Sequence, residues 1–155
     1  LELRVPRHPS ESEDYLVTRV LAYCLEYTDG IAFSRGISDP DEPTIAVRDL
    51  TGAIGAWIEI GTPDASRVHK AGKAASRVAV YAHKDTTQML RLWANERIHR
   101  IEALELYRLD RALIDAMVDA LDRRMTFSLS VSDDDLYIAL GDRTIEGRVT
   151  RVAVS

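Results

Sequence analysis

One cysteine, Cys24, stands in the whole chain, which excludes an intramolecular disulfide and any zinc site built from several thiolates. No run approaches 18 consecutive apolar residues, so the sequence offers no membrane-spanning helix. Neither GxxxxGK[ST] nor GxGxxG occurs, which removes the glycine-rich phosphate loops. His8, His69, His83 and His99 are scattered without the spacing of a metal-binding pair. There is no excess of positive charge either. With 20 Lys and Arg against 25 Asp and Glu, the formal charge is −5, so the chain as a whole does not attract nucleic acid or anionic lipid. Any polyanion partner needs a local basic patch or a bound metal. Repeats, low-complexity tracts and linkers are also missing.

What is present suits one globular domain. The 155 residues are 46% hydrophobic, enough for a core, and 29% charged. No signal-peptide pattern is in view, and with a single free thiol a cytoplasmic location is expected. Leu1 to Val5 alternate like the end of a strand, and the chain reads as trimmed at its N terminus.

Periodicity gives the expected elements. Ser10, three residues before Glu13, has capping-box spacing, and Leu16, Val17, Val20, Leu21, Cys24 and Leu25 recur as a helical stripe, Cys24 facing the core. A helix over 10–27 should end at Asp29-Gly30. Strands follow at 31–34, 44–48 and 53–60, the last two joined by Asp49-Leu50-Thr51-Gly52 as a hairpin turn. Pro63 takes the first helical position of a helix reaching to about Ser76. Then come a strand at 77–82, a helix at 85–97 with Met89 and Trp93 on its packing face, a strand at 104–109 and a helix at 110–123. Strands near 126–132, 136–140 and 148–154 complete the chain, with Asp133-Asp134-Asp135 as a turn. This predicts an α/β protein with a mixed central sheet, an αβββαβ core and a C-terminal α/β extension. The core has the element order of the restriction-endonuclease-like fold.

Alternation along 53–60 puts Ile54, Ala56, Ile58 and Ile60 on one face, and Gly55, Trp57, Glu59 and Gly61 on the other. Glu59 is therefore a carboxylate in a strand buried on both sides, and its charge needs compensation. A two-residue turn would set Glu59 opposite Thr44 and Gly61 opposite Glu42. A three-residue turn with Gly52 left-handed would set them opposite Pro43 and Asp41. Either register brings one acid of Asp41-Glu42 diagonal to Glu59, roughly 7–8 Å away at Cα, close enough for both to share a divalent ion. Asp49 falls about 16 Å away at the tip and reads as a turn former. Glu11 supplies a third acid, and Lys70 and Lys73 share a helix face beyond the strand. Hard oxygen ligands beside ammonium groups suit metal-assisted phosphodiester cleavage. The plainer alternative is a structural pair between Glu59 and Lys70 or Arg35.

The residues also resemble a known family. Arg7-His8-Pro9-Ser10-Glu11, Phe33-Ser34-Arg35-Gly36, Asp41-Glu42-Pro43, Asp49-Leu50-Thr51-Gly52 and Trp57-Ile58-Glu59-Ile60-Gly61-x-Pro63-Asp64 occur in the order of the bacterial YaeQ family. The resemblance implies one PD-(D/E)XK nuclease-like domain over 1–155, lacking part of its N-terminal strand segment. It also implies a magnesium-dependent phosphodiesterase or nuclease acting on DNA or RNA. Carried over by motif, Glu11, Asp41, Glu42 and Glu59 are its site acids, with Asp41, Glu42 and Glu59 holding Mg²⁺. Gly61 stands where the nuclease pattern Glu-x-Lys has its lysine, so Lys70 is expected to supply the cation, with Lys73 or Arg35 as substitutes. If that cation is gone, the same fold serves as a non-catalytic module associated with nucleic acid or transcription.

Overall fold

A computed structural model describes Val5, Arg7 and residues 11–34, 41–122 and 124–154. Leu1 to Arg4 of the expected first strand, the expected cap Ser10, Arg35 and Arg123 lie outside the described residues.

Helix α1 spans Glu13–Leu25, shorter at both ends than periodicity suggests. Ser12 caps it, its hydroxyl accepting from the Tyr15 amide at 3.1 Å. Cys24, expected in the core, is only half-buried. Gly30, at φ +86°, turns the chain into β1 (Ile31–Phe33). Strands β2 (Ile45–Arg48) and β3 (Ile54–Ile60) form the expected antiparallel hairpin.

Both candidate registers occur in that hairpin. Gly52, at φ +86°, closes a loop that sets Arg48 opposite Ile54, the pairing of the three-residue turn. A bulge at Gly55 then shifts the ladder, and Ile45 faces Ile58 as the two-residue turn requires. Extending that register puts Thr44 beside Glu59.

Helix α2 covers Ala65–Ala74 and is capped by Asp64, whose carboxylate accepts from the Arg67 amide at 2.9 Å. Pro63 thus precedes the helix rather than opening it, and its carbonyl accepts from the Trp93 indole at 3.1 Å. Strand β4 (Arg77–Ala82) runs parallel to β3, and β5 (Glu105–Leu109) parallel to β4. Between them α3 occupies only Thr87–Ala94, because Asp85 folds back on Thr87 in a local turn. Helix α4 (Arg111–Asp119) is followed by β6 (Ser128–Ser132), β7 (Asp135–Leu140) and β8 (Arg143–Val152). The β6–β7 turn is Asp133-Asp134 alone, since Asp135 already pairs with Ser132. Strand β8 begins five residues before the expected 148, because Gly141-Asp142 makes a two-residue hairpin with Gly141 at φ +61°.

The strands join in one mixed eight-stranded sheet, ordered β1-β2-β3-β4-β5-β8-β7-β6. Long β8 carries the junction, pairing with β7 in its first part and with β5 in its last. The two faces of β3 divide as alternation requires. Trp57 packs with Val68, Ala71, Met89 and Trp93 under α2 and α3, whereas Ile58 and Ile60 lie under α1 beside Ala22 and Tyr23. Helix α4 packs with α1 over the C-terminal hairpins. There Gly147 lets α4 approach so closely that a Cβ would stand 2.5 Å from the Leu113 Cβ.

Candidate functional site

The carboxyl ends of β3 and β4 open onto a cleft of about 350 Å³, and Glu59 lies in its wall. Tyr15 and Ser12 reach it from α1, Arg67 from α2, and His83 and Lys84 from the segment leaving β4. Open α/β sheets bind ligands at such strand ends, where loops diverge and the backbone is free of ladder pairing.

Glu59 is 3% exposed, and its charge is met from several sides. The Arg67 fork grips both carboxylate oxygens, Nε to Oε2 and Nη2 to Oε1, each at 2.8 Å. The Trp57 indole donates to Oε1 at 2.7 Å, and the Thr44 amide and hydroxyl approach at 3.4 Å. Such a bidentate pair is the strong form of an ion pair, and the donors repay desolvation of the carboxylate. The hydrogen bonds to Glu59 also raise the pKa of Arg67 beyond its ordinary value. The Arg67 guanidinium lies 5.8 Å from the centre of the Trp57 ring as well. Beside them, burial pushes the Tyr15 phenol up, and the Glu59 charge adds to this.

Arg67 also ties down the acidic segment. Its Nη2 donates to the Glu42 carbonyl at 2.7 Å, so the backbone at Glu42 lies alongside Glu59. The Glu42 side chain turns outward to Arg48 at 3.4 Å. Asp41 pairs with Lys70, whose ammonium the sequence placed at Glu59. Hence the cation on Glu59 is Arg67, in the first turn of α2, and Lys70 braces the same segment from the next turn. Glu11 is buried, and Arg19 grips both its oxygens at 2.9 and 3.1 Å. Lys73 is exposed on the last turn of α2. Asp49 closes the hairpin tip, accepting from the Thr51 and Ala53 amides at 2.9 and 3.0 Å.

A magnesium ion demands near-octahedral oxygen ligands at about 2.0–2.1 Å. Both Glu59 oxygens hold guanidinium donors, while Asp41 and Glu42 point to Lys70 and Arg48. Among the described residues no three His, Cys, Asp or Glu side chains are grouped to hold a metal. In this arrangement the residues do not fit the ion.

One residue of the cleft wall carried no signal of spacing. His83 is buried at the cleft wall, immediately after β4, and its Nδ1 has no hydrogen-bond partner. Burial pushes its imidazole pKa down; Asp14 opposes this, and Lys84 and Arg111 reinforce it. Burial thus favours the neutral form of the ring. Arg111 holds the His83 backbone through its carbonyl at 3.2 Å while binding Asp14 of α1 at 2.7 Å. Lys84 is exposed at the rim. The position of His83 at the carboxyl end of a buried strand was the only clue in the sequence.

Known proteins show the same architecture. The structure of YaeQ from Xanthomonas axonopodis pv. citri aligns with a TM-score of 0.85 and 30% identity, over 96% of this chain and 85% of that one. YaeQ from Pseudomonas syringae aligns with the same TM-score at 23% identity, over 96% and 82%, a likeness of fold. In sequence, the proteins named "Uncharacterized protein YaeQ" from Salmonella typhi and Escherichia coli K12 are 28% and 29% identical, each over 96% of this chain and 82% of their own length. The profile described as "YaeQ protein" matches residues 1–149, and the chain belongs to the YaeQ family.

Proposed function

We propose that the cleft at the ends of β3 and β4 binds the sugar–phosphate backbone of nucleic acid as a non-catalytic module. The observation that carries this reading is the closed Glu59–Arg67 pair: a carboxylate with both oxygens held by one guanidinium is a neutral, rigid wall rather than a metal ligand. Exposed Lys84 at the rim supplies the point charge for a phosphate. Hydroxyls of Ser12, Tyr15 and Thr44 offer further hydrogen bonds within the same cleft. With a net charge of −5, attraction is local, and affinity rests on a few phosphates. The αβββαβ order of the core is compatible with a PD-(D/E)XK nuclease variant that has kept its groove and lost its turnover.

A second reading is a Mg²⁺-dependent phosphodiesterase using Glu11, Asp41 or Glu42, Glu59 and Lys70. Its support is the contact of Arg67 Nη2 with the Glu42 carbonyl, which keeps the backbone of the acidic segment beside Glu59, although the Asp41 and Glu42 carboxylates turn to Lys70 and Arg48. It requires the fork to release Glu59.

One experiment separates them. Labelled single- and double-stranded oligonucleotides are titrated with the full chain in EDTA, then incubated with millimolar Mg²⁺ or Mn²⁺ and resolved on gels. The binding reading expects metal-independent affinity that falls about tenfold between about 50 and about 200 mM salt when two phosphates are held. It also expects Lys84→Glu to abolish binding, and intact strands on the gels. Strand cleavage that needs the metal and vanishes in Glu59→Ala establishes the phosphodiesterase instead.

A further inference from the structure

Charge is divided unevenly over this acidic chain. Residues 62–108, which form α2, β4, α3, β5 and their connections, hold nine Lys and Arg against five Asp and Glu. That is a net +4, and the remaining residues carry −9 to reach the total of −5. The excess lies on one side of the sheet. Helices α2 and α3 cover the Trp57 face and join into a single layer. Trp93 of α3 donates to the Pro63 carbonyl ahead of α2, and the His99 amide, on the chain leaving α3, donates to Nδ1 of His69 on α2 at 2.9 Å. Gly72 permits the second contact, since a Cβ there would stand 2.6 Å from the His99 carbonyl oxygen. Lys73, Arg91 and Arg97 are exposed on this layer. Lys84 and Arg108 are exposed where the layer meets the cleft, Arg108 paired in register with Ala82 just before it.

On the α1 side the cations are consumed within the fold: Arg19 by Glu11, Arg77 by Glu26 and Glu105, and Arg111 by Asp14 and Asp115. None of the five cations of the α2–α3 layer has an ion-pair partner among the described residues. Asp64 and Asp85, which lie nearby, are spent on the Arg67 and Thr87 amides, leaving Glu96 and Glu102 as the other acids of the layer. Unpaired like charges gathered on one surface repel one another, and a ligand with many negative charges gains more from them than a single acid does. A protein partner would also want an apolar anchor, and Leu92 is the one large apolar side chain exposed on the layer among the described residues. A regular row of phosphates needs no such anchor, and the Arg forks fit it. We infer that a nucleic-acid strand leaving the cleft past Lys84 runs across the α2–α3 layer, where Arg91, Arg97 and Lys73 hold further phosphates. This inference rests on the nucleic-acid-binding reading above and extends its ligand beyond the cleft.

The test titrates a single-stranded oligothymidylate, long enough to cross the layer, with the full chain in EDTA at several salt concentrations. The triple variant Lys73→Ala, Arg91→Ala and Arg97→Ala is compared with wild type and with Arg143→Ala, which removes an exposed cation from the C-terminal hairpin. Losing three phosphate contacts should make the slope of log K against log salt shallower by about 2, and weaken binding on the order of a hundredfold at about 50 mM salt. Arg143→Ala should stay within about twofold of wild type, since its charge lies off the proposed path. Circular dichroism confirms that each variant is folded, as expected for exposed side chains. A triple variant that keeps the wild-type affinity and slope overturns the inference while leaving binding in the cleft in place. So does an Arg143→Ala loss as large as that of a single layer cation, because attraction would then not be local. A poly-glutamate peptide that binds wild type as tightly as the oligonucleotide, and is lost in the triple variant, makes the layer a site for acidic protein and overturns the assignment to nucleic acid. If the wild-type chain does not bind the oligonucleotide at all, both the inference and the binding reading fail.

Discussion

Removing Arg67 should unbalance the buried carboxylate at the centre of the cleft. The Glu59 side chain is 4% exposed and that of Arg67 is 20% exposed, so the pair lies mostly outside water. Taking one partner from a buried pair costs about 3–5 kcal/mol, chiefly the burial of the orphaned charge. In Arg67→Ala the Trp57 and Thr44 donors remain, and water can enter the vacated seat. The expected loss is therefore near the lower end, about 3 kcal/mol. For a domain of this length that lowers Tm by about 6–12 °C. Glu59→Gln should cost less, about 1–2 kcal/mol, since the amide still accepts from Trp57 and Arg67 still reaches the Glu42 carbonyl and solvent. The double variant should cost less than the sum of the two, with a coupling of about 1–3 kcal/mol. Urea denaturation at neutral pH measures all four corners of the cycle. A loss below about 1 kcal/mol for Arg67→Ala would refute the reasoning, because Glu59 would then be drawing its compensation from elsewhere.

Glu105 gives a pH prediction. Burial pushes its carboxyl up, but hydrogen bonds from Arg77 and Tyr107 outweigh this and leave it below the ordinary value. A depressed folded value stabilises the fold above the unfolded carboxylate pKa, and that stability is lost as pH falls through the folded one. Urea midpoints measured downward from neutral pH should therefore fall less steeply in Glu105→Gln than in wild type. Gly30→Ala should cost at least about 2 kcal/mol by chemical denaturation, because φ is +86° and a Cβ would stand 2.1 Å from the Arg48 carbonyl oxygen. Lys70→Ala removes an exposed pair with Asp41 and should change stability by less than about 1 kcal/mol; a larger loss would give Lys70 a role beyond bracing the surface.

The faces of β3 were legible because period-two alternation decides them without knowledge of neighbours: Trp57 and Glu59 share a side, and Ile58 and Ile60 share the other. The register was legible only as two alternatives. A bulge at Gly55 lets both occur in one hairpin, and nothing local distinguishes a bulged glycine from a paired one. The cation on Glu59 was misplaced for a related reason. Arg67 and Lys70 lie three residues apart on one helix, and their distance from the strand depends on where the helix begins. Capping by Asp64 instead of opening at Pro63 brings the first turn, with Arg67, over the carboxylate and leaves Lys70 one turn farther out. In the C-terminal half, Gly141-Asp142 is a recognisable hairpin turn, but no apolar run follows it to mark a strand, because β8 opens with Arg143 and Thr144. His83 could not be found from spacing at all, since what marks it is an unsatisfied nitrogen in three dimensions.

The Trp57 indole reports on the central claim directly, because its N–H donates to the Glu59 carboxylate at 2.7 Å. The chain has two tryptophans, so its ¹H–¹⁵N indole resonance can be assigned by comparison with Trp57→Phe. If the cleft is a closed binding wall, this resonance shifts on titration with a single-stranded oligoribonucleotide in EDTA and stays in place on titration with millimolar Mg²⁺ alone. A saturable shift with Mg²⁺ alone, and none with the oligonucleotide in EDTA, would mean that Glu59 exchanges its guanidinium for a metal, and would contradict the account.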